Sequence, residues 1–380
     1  MKSKSSELLM ISYLDYPYPA GLCTRITALA KILVRNGIKV NILAPITRGD
    51  KNLPEREQRD GFVVTRIDLK FYNSTGNFAL KLLQLLIFSI IASFKVSKIF
   101  VKKGPLIQYQ SIYSAIPALF AKTFLRAKII GDDIVLIHPF IDILVLKLTD
   151  IVVTPSLKTY SFAKQLRKLT LYVPNGAEKK VFTKSTLDIP RILFIGSLSF
   201  DQNLKAVENI VRIASKLDEY GLTFEIIIVG GPLTYAKHLV THPIVKKGKV
   251  IFVGIVSDEQ LTNLYSSSLI GLLPFFYDTP LTGGQRTKAL EFFANGLLVI
   301  SGPEGVKGIH GIEVGKHYLL ANSIEEMIEI IKNVLLIPKV YQNVADEGQK
   351  FILERYSWEM VSKDYVSLIS GFSARGSSHP

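Results

Sequence analysis

The strongest constraint on the fold is a repeating order of short apolar segments and amphipathic helical segments. Residues 8–13 form a short apolar segment, residues 24–35 carry apolar side chains at helical spacing, and residues 39–45 form a second apolar segment. The helical segment is followed by Asn36-Gly37, a typical helix stop. A strand, a helix and a strand in this order form a βαβ unit, which requires a parallel sheet.

The second half of the chain repeats this order. Apolar segments at 191–196, 224–229, 250–254, 270–274 and 297–301 alternate with helical segments that include 204–220, 258–266 and 286–295. The chain has 380 residues, of which 48% are hydrophobic and 21% are charged. It is therefore too long for one ordinary core and too apolar for a disordered chain. We predict an α/β protein with two Rossmann-like, doubly wound parallel-sheet domains.

The net charge of +14 is confined to the first half. Residues 1–185 contain 28 Lys and Arg against 12 Asp and Glu, whereas residues 186–380 contain 18 against 20. A basic half indicates an anionic partner, either a nucleic acid or a membrane surface. Cys23 is the single cysteine, which excludes an internal disulfide, and Asp132-Asp133 is not a spaced metal-binding pair, so we expect no metal.

Residues 78–94 are mostly apolar, at the lower length limit for crossing a bilayer. Lys81, Gln84, Ser89 and Ser93 interrupt this segment, so a buried or half-buried helix is favoured over a spanning one. A helix lying in the membrane interface is the intermediate alternative. The short apolar run after the basic N-terminus reaches Asp15 without a small-residue cleavage site, so we expect no signal peptide.

Residues 282–296 are the most informative segment for function. Gly283 and Gly284 let the backbone approach a ligand, and Arg286 and Lys288 add two cations at the predicted start of a helix. This arrangement suits a diphosphate. Glu291 lies about one helical turn beyond Lys288 and can accept hydrogen bonds from sugar hydroxyls. The alternative is a solvated helix with a Lys–Glu pair.

This segment resembles the donor-site motif of retaining glycosyltransferases with the GT-B fold, of the group called family 4 or group 1. The similar branch reads Gly-Gly-x-Arg-x-Lys-x-x-Glu. Further segments resemble the family in the same order along the chain: residues 16–21 with Arg25, 173–178 with Phe182, 194–198 with Gln202 and Asn203, 228–232, 252–254, 301–308 and 356–358.

The resemblance implies two Rossmann-like domains facing across a cleft. It places an acceptor-side domain at residues 1–180 and a nucleotide-sugar domain at 181–356. A C-terminal helix at 357–372 is expected to cross back to the first domain, before a tail at 373–380. The implied activity is a hexosyltransferase of glycan biosynthesis, which moves a sugar from a nucleotide-sugar donor to a glycan or lipid-linked acceptor with retention of configuration. No cofactor is implied.

The resemblance also assigns roles to individual residues. The donor-binding candidates are Gly21, Ser197, Asn203, Gly254, Gly283, Gly284, Arg286, Lys288 and Glu291. The catalytic candidates are Arg286, Lys288, Asp132 and Asp133. Ser197 and Gln202 or Asn203 stand where the family has an Arg and a Lys, so Arg286 and Lys288 are expected to replace those cations. His138 is a weaker candidate for acceptor activation, because a histidine ahead of Pro139 is more often a loop residue. The departing phosphate can itself take the acceptor proton in a retaining transfer.

Three alternatives stay open at this stage. A nucleotide-sugar 2-epimerase shares the fold, and a non-catalytic GT-B protein would explain the departures at Ser197 and Gly283. A nucleic-acid-binding protein would use the basic half, although no nucleic-acid motif supports it. Because acceptors of this family are often lipid-linked, we expect a cytoplasmic protein that can lie on an anionic membrane face, and no nucleic-acid partner.

Overall fold

The computed structural model describes residues 7–17, 21–47, 53–69, 78–99, 104–133, 139–166, 168–185, 188–277 and 285–375. The chain divides into two compact units. The first unit comprises Met1–Pro174 together with Val361–Pro380, and the second comprises Asn175–Met360. Three of the residues discussed above, Gly283, Gly284 and His138, lie outside the described residues.

The first unit is built on an eight-stranded sheet with the order β3-β4-β2-β1-β5-β6-β7-β8. All of its neighbouring strands are parallel except β3 and β4. Its elements are β1 (Glu7–Ile11), α1 (Gly21–Arg35), β2 (Lys39–Ile46), β3 (Arg56–Arg59), β4 (Phe62–Asp68), α2 (Phe78–Ile99), β5 (Leu106–Gln110), α3 (Ala115–Leu125), β6 (Lys128–Asp132), α4 (Pro139–Leu148), β7 (Ile151–Thr154), α5 (Leu157–Gln165) and β8 (Leu169–Tyr172).

Helix α1 shows how the apolar pattern selects this structure. Ile26, Leu29, Ala30 and Leu33 recur at helical spacing and are all fully buried. The helix ends before Gly37, whose φ of 78° is the left-handed conformation that favours glycine after a helix. Burial of each such large apolar side chain contributes about 1.5–3 kcal/mol, so one face of the helix holds it against the sheet.

The second unit has a six-stranded parallel sheet with the order β11-β10-β9-β12-β13-β14. Its strands are β9 (Arg191–Ile195), β10 (Glu225–Val229), β11 (Val250–Gly254), β12 (Ile270–Leu273), β13 (Leu298–Ser301) and β14 (Leu319–Leu320). Its helices are α6 (Asp201–Glu219), α7 (Lys237–Val240), α8 (Pro243–Lys246), α9 (Asp258–Ser267), α10 (Thr287–Ala294), α11 (Ile324–Leu336) and α12 (Gln342–Tyr356). Helices α13 (Trp358–Val361) and α14 (Lys363–Arg375) complete the chain.

These two sheets confirm the predicted α/β class with two parallel-sheet domains. In each sheet the central strands are connected through helices. In the first sheet β1 lies between β2 and β5, and in the second β9 lies between β10 and β12. Each sheet therefore has a switch point where successive connections leave in opposite directions. In such folds ligands bind beyond the carboxyl ends of the strands at this point.

Residues 175–180 group with the second unit, although the resemblance placed them in the first domain. Asn175 is held by Gln285: its backbone N–H donates to Oε1 at 3.1 Å and its side-chain amide donates to the carbonyl at 3.0 Å. The N–H of Lys180 donates to Asn295 Oδ1 at 2.9 Å. At the other end, the segment that rejoins the first unit begins at Val361 rather than at residue 357.

Helix α2 contains the apolar segment 78–94 and extends it to Ile99. Phe88, Ala92 and Val96 are buried against the sheet, while Leu86 and Phe94 are exposed. Half-burial therefore describes this helix, as the sequence favoured. In the part of the chain that the structure describes, no helix has the length and apolar character needed to cross a membrane.

Candidate functional site

The carboxyl ends of β9 and β12 and the start of α10 bring together side chains of the second unit. Parallel strands place their carboxyl ends at one edge of the sheet, and the helix that follows β12 begins at this edge. Arg286 caps α10 and Lys288 lies in its first turn, so both cations stand at the positive end of the helix dipole. Asn203, in the first turn of α6, meets them from the β9 side.

Arg286 is only 8% exposed, yet its hydrogen-bond partners are neutral. Its Nε donates to the carbonyl of Glu304 at 3.0 Å, and its Nη1 donates to Gln202 Oε1 at 3.1 Å. The guanidinium carbon lies 4.1 Å from the centroid of the Phe275 ring. Its Nη2 is buried and has no hydrogen-bond partner among the described residues. Burial lowers the pKa of Arg286, and the carboxylate of Glu304 partly opposes this shift.

Lys288 is the second cation of the site. Its Nζ donates to Asn203 Oδ1 at 2.7 Å and lies 4.8 Å and 5.0 Å from the ring centroids of Phe194 and Phe275. Burial of the ammonium holds the pKa of Lys288 well below its ordinary value, the positive charge of Arg286 lowers it further, and Glu291 opposes both effects. Two cations on one aromatic ring with neutral partners form a site suited to an anion.

Glu291 follows Lys288 by about one turn of α10 and is held by Tyr265. The Tyr265 hydroxyl donates to Glu291 Oε2 at 3.0 Å. Burial raises the pKa of Glu291, while the hydrogen bond from Tyr265 and the charges of Lys180 and Lys288 lower it. The tyrosine itself is fully buried, and burial beside Glu291 raises the pKa of its hydroxyl well above the ordinary value. The carboxylate is therefore fixed in position with one oxygen still available.

Glycines let the backbones of three strand ends approach each other. A Cβ on Gly196 would lie 2.8 Å from Lys288 Nζ and 2.9 Å from Asn203 Cγ. A Cβ on Gly230 would lie 1.9 Å from the carbonyl oxygen of Gly196, and Gly230 has a φ of 138°. The N–H of Gly230 donates to the carbonyl of Gly254 at 2.7 Å. The Lys288–Asn203 contact thus depends on a missing side chain at Gly196.

The predicted donor residues of the second unit therefore divide into three groups. Asn203, Arg286, Lys288 and Glu291 converge, and Ser197 joins them because its carbonyl accepts from the Asn203 amide at 2.8 Å. Gly254 supports the neighbouring turn through Gly230. Gly283 and Gly284 lie outside the described residues, so their donor contacts stay predictions.

The adjacent aspartates of the first unit have different environments. Asp132 is fully buried, and its carboxylate accepts from Arg25 Nη2 at 2.8 Å and from Gln108 Nε2 at 3.0 Å. Arg25 also donates to the carbonyl of Val173 at 2.9 Å. The hydroxyl of Tyr365 on α14 donates to Gln108, which extends this network to the C-terminal helix. Asp132 is thus the anion of a buried ion pair.

Asp133 is half-buried and has a φ of 50°. The pKa of Asp133 is raised to about 6. Burial is the main cause, the charge of Arg25 opposes it, and the charge of Asp132 adds to it. The ring of Tyr13 is near this carboxyl, since Asp133 contributes after burial to raising the pKa of Tyr13 to about 12. A carboxyl with this pKa can exchange a proton near neutral pH. Gly21, the remaining candidate of this unit, is exposed at the start of α1.

Sequence reasoning missed the residues that shape the cation site. Phe194 and Phe275 belong to apolar strand patterns, Tyr265 lies in a helix otherwise marked by its polar face, and Gln285 occupies a variable position of the motif. Gln285 is buried and donates to the carbonyl of Gly308 at 2.9 Å, which anchors the start of α10. Only the position of Gln285 next to Arg286 offered a signal in the sequence. Within the described ranges, no group of three or more His, Cys, Asp or Glu side chains is placed to hold a metal ion.

The two parallel-sheet units define the GT-B fold class, which solved structures share. Residues 189–336, which lie within the second unit, match the family model described as "Glycosyl transferases group 1". The chain is similar in structure to a sucrose-phosphate synthase from Thermosynechococcus elongatus, with a TM-score of 0.77, 16% identity and coverage of 97% of this chain and 100% of that one. An E. coli structure titled "Trehalose-6-phosphate", bound with UDP-2-fluoro glucose, has a TM-score of 0.70, 12% identity and coverage of 96% and 99%.

Two curated relatives match part of the sequence. An uncharacterized glycosyltransferase of Methanocaldococcus jannaschii is 25% identical over 182 residues, which are 48% of this chain and 45% of the relative. A probable sucrose-phosphate synthase of Thermosipho melanesiensis is 27% identical over 210 residues, 52% of this chain and 44% of the relative. The matches thus span less than half the length of either relative.

Proposed function

We propose that this chain is a retaining, nucleotide-sugar-dependent glycosyltransferase of the family 4 type, which transfers a hexosyl group to a glycan or lipid-linked acceptor. One observation carries the proposal. Arg286 and Lys288 lie over the same ring, Phe275, and their hydrogen-bond partners are neutral. Such a pair of cations is poorly compensated until an anion binds.

A nucleoside diphosphate is the anion that fits this pair. Bringing two cations out of water is costly unless they are paired, and the lowered pKa of Lys288 reports that cost. A diphosphate would restore the charge of Lys288 and accept a hydrogen bond from the free Nη2 of Arg286. The same charges stabilise the negative charge that develops on the leaving group, so the proposal needs neither a metal nor a cofactor.

Glu291 is proposed to hold the ribose of the donor. Its Oε2 accepts from Tyr265, which leaves Oε1 for a ribose hydroxyl. Glu291 lies three residues beyond Lys288, so the proposed ribose and diphosphate contacts are separated by about 4.5 Å along the helix axis. In this proposal the donor lies along α10, with its diphosphate near the start of the helix and its nucleoside about one turn further on.

In the proposed reaction the bond from the anomeric carbon to the phosphate oxygen breaks, and a bond to the acceptor oxygen forms on the same face. The acceptor proton passes to the departing phosphate oxygen, so the products are a nucleoside diphosphate and a retained glycoside. Asp133 is a second candidate for this proton, because its pKa of about 6 suits a base near neutral pH. Asp132 is less suited, since its oxygens already accept from Arg25 and Gln108.

The relatives indicate where to begin the search for substrates. One structural neighbour is bound with UDP-2-fluoro glucose, and others are a sucrose-phosphate synthase and an α,α-trehalose-phosphate synthase. UDP-glucose is therefore the first donor to test, with sugar phosphates as soluble acceptors beside lipid-linked glycans. The net charge of +16 in residues 1–185 favours an anionic acceptor of either kind and a location on the cytoplasmic membrane face.

The decisive experiment begins with nucleotide binding by the full chain, measured as a thermal shift with UDP, ADP and GDP. Donor hydrolysis and transfer then follow, with the anomeric configuration of the product read by NMR. We expect Lys288→Ala and Arg286→Ala to lower kcat/KM by about 10²–10³, the usual effect of losing a charge-stabilising donor. Lys316→Ala is the matched control, because Lys316 is exposed and pairs with Glu313. Unchanged rates in both site variants would overturn the assignment.

Two measurements separate the alternatives. Incubation with UDP-N-acetylglucosamine, scored for the epimerised sugar, tests a 2-epimerase, which would consume no acceptor. A titration that shows no affinity for any nucleotide would instead support a non-catalytic GT-B protein. A product with inverted anomeric configuration would support the proposed transferase activity but contradict the proposed retention of configuration.

A further inference from the structure

Three consecutive helices of the first unit expose large apolar side chains. Ten such residues are exposed on them: Leu83, Leu86, Ile90 and Phe94 on α2, Ile116 and Phe124 on α3, and Phe140, Ile141, Leu144 and Leu148 on α4. The most prominent are Phe94, Phe124 and Phe140, which are 64%, 67% and 90% exposed. Soluble surfaces contain isolated apolar residues, but clusters of this kind mark an interaction surface.

These helices form one layer on one face of the eight-stranded sheet. The opposite sides of α2, α3 and α4 contribute Phe88, Ala118 and Leu146 to a single buried cluster with the sheet. Helix α2 packs against α3. Lys122 on α3 donates to the carbonyl of Leu148 on α4 at 2.7 Å, so these two helices are also neighbours. The exposed apolar residues therefore belong to one outer surface, which we call the α2–α4 surface.

Helix α2 exposes apolar side chains although two of its serines are buried. Its serines Ser89 and Ser93 are buried, and each hydroxyl donates to a backbone carbonyl of the preceding turn at 2.7 Å. Meanwhile Leu86, Ile90 and Phe94 follow one another at intervals of four residues on the exposed side. A helix that faced only water would show the opposite arrangement. The core of the unit does not explain this apolar stripe.

The charge of the same layer indicates what covers it. Helices α2 to α4 carry five lysines, namely Lys81, Lys95, Lys98, Lys122 and Lys147, of which Lys95 and Lys122 pair with Glu55 and Asp150. Their one acidic residue, Asp142, is fully buried. A second copy of this chain would bring the same positive layer against itself, which like-charge repulsion disfavours. A nucleic acid would satisfy the lysines but not the phenylalanines.

We propose that the α2–α4 surface docks onto an anionic lipid bilayer. The exposed aromatic and aliphatic side chains enter the boundary between headgroups and acyl chains, while Lys98 and Lys147 contact anionic headgroups. This inference deepens the proposed function, because docking brings the enzyme to a lipid-linked acceptor. Binding to the bilayer is nevertheless measured without any sugar transfer.

The test is sedimentation of the full chain with vesicles of phosphatidylcholine alone or mixed with phosphatidylglycerol. We expect binding to the mixed vesicles at low salt and release at high salt. The variant Phe94→Ser/Phe124→Ser/Phe140→Ser should lower the partition coefficient by about tenfold or more, since each Phe loses apolar burial. Lys98→Glu and Lys147→Glu should each lower it by about fivefold or more, the effect of about one surface cation.

The matched control is Leu336→Ser/Ile337→Ser/Val340→Ser, which removes three exposed apolar side chains from the second unit. It should bind vesicles like the wild type. Nucleotide thermal shifts of all variants report folding and test the proposed function separately. Equal sedimentation of the Phe variant and the control, or binding that ignores lipid charge, overturns the proposal. A dimer that the Phe variant dissociates, without vesicle binding by the wild type, would assign the surface to a second copy instead.

Discussion

Lys288 Nζ lies 2.7 Å from Asn203 Oδ1, and this contact joins the first turns of α10 and α6. The two residues are 85 positions apart in the chain. Asn203 stands where an ammonium or guanidinium would be expected from the family resemblance, and the structure brings the cation to it from the opposite strand–helix connection. The amide orients Lys288 without supplying a compensating negative charge, which leaves that role to an anionic ligand.

Lys288 should destabilise the ligand-free protein. Because its folded-state pKa lies well below the ordinary 10.5, the unfolded chain binds more protons between these two values, and stability falls as pH is lowered through this window. We expect Lys288→Met to raise the Tm of the ligand-free chain by about 2–4 °C for each kcal/mol gained. The same variant should lose the thermal shift that a nucleoside diphosphate gives to the wild type.

Thermal unfolding at several pH values checks this prediction. The difference between variant and wild type should shrink as pH rises toward and above 10.5, because the lysine then loses its proton in the unfolded chain as well as in the folded protein. Lys316→Met is the control and should change neither the Tm nor the ligand shift, since Lys316 is exposed. A Lys288→Met protein that is less stable at every pH would contradict the argument.

Gly196→Ala should impair ligand binding more than folding. The new Cβ would meet Lys288 Nζ at 2.8 Å and Asn203 Cγ at 2.9 Å, and both are ends of side chains that can move apart. We expect a stability loss of about 1–3 kcal/mol from overpacking and a nucleotide Kd weakened by about tenfold. Calorimetric titration with UDP and urea unfolding measure the two effects.

Substitutions at two other glycines provide comparisons for Gly196→Ala. Gly230→Ala should prevent folding of the second unit, because its Cβ would lie 1.9 Å from a backbone oxygen and its φ is 138°. Gly371→Ala should stabilise α14 by about 0.5–1 kcal/mol, since nothing lies within 4 Å of the added atom. Wild-type affinity in Gly196→Ala would show that the Lys288–Asn203 contact is dispensable.

Tyr265→Phe should move the loss of nucleotide affinity at acid pH to a higher pH. The hydroxyl of Tyr265 lowers the pKa of Glu291, so its removal raises that pKa further. If Glu291 holds the ribose as proposed, donor binding requires its ionised form and is lost as pH falls through the pKa of Glu291. We expect about a tenfold weaker nucleotide affinity near neutral pH, or about 1.4 kcal/mol, close to the lower end of the 1.5–3 kcal/mol range of hydrogen bonds to charged groups.

Affinity measured from pH 5 to pH 9 tests the role of Tyr265. At high pH the variant should approach the wild type, because Glu291 is then ionised in both proteins. Tyr220→Phe serves as the control: that hydroxyl also donates to a glutamate, Glu329, at 3.4 Å, but on the surface. A pH-independent loss of affinity would indicate that Tyr265 contacts the ligand itself or supports the fold.

The adjacent aspartates should respond oppositely to the same substitution. Asp132→Asn removes the anion that pairs with buried Arg25 and should cost about 3–5 kcal/mol. Asp133→Asn should instead stabilise the chain at pH 8. The pKa of Asp133 is about 6 in the folded protein and 3.8 ordinarily, so the wild type loses stability as pH rises through this interval and the amide does not.

Urea unfolding at pH 4 and pH 8 distinguishes the two aspartates. The advantage of Asp133→Asn should disappear at the lower pH, where the carboxyl is protonated in the folded state. If Asp133 also takes the acceptor proton, the transfer rate of Asp133→Asn should no longer rise with pH near pH 6, although this variant is more stable than the wild type. Two variants with similar stabilities at pH 8 would refute the contrast.

Much of the second unit was predictable because its signals are local. Strands such as β9 and β13 are continuous apolar runs, and the helices between them bury apolar stripes at helical spacing. These patterns predict element type and parallel pairing with no knowledge of distant contacts. The division of the chain was less predictable, because residues 175–180 are assigned to the second unit by bonds to Gln285 and Asn295.

The sequence by itself determined the two parallel-sheet domains, the basic first half and the cation pair beside Glu291, since each depends on residue type and spacing along the chain. Only the tertiary structure decided which neighbours those residues meet. It placed Asn203 against Lys288, Phe275 beneath both cations and Tyr265 on Glu291, and it left a second apolar stripe of α2 exposed. The physical reason is that charge compensation and burial depend on groups that are distant in sequence, whereas helix and strand periodicity do not.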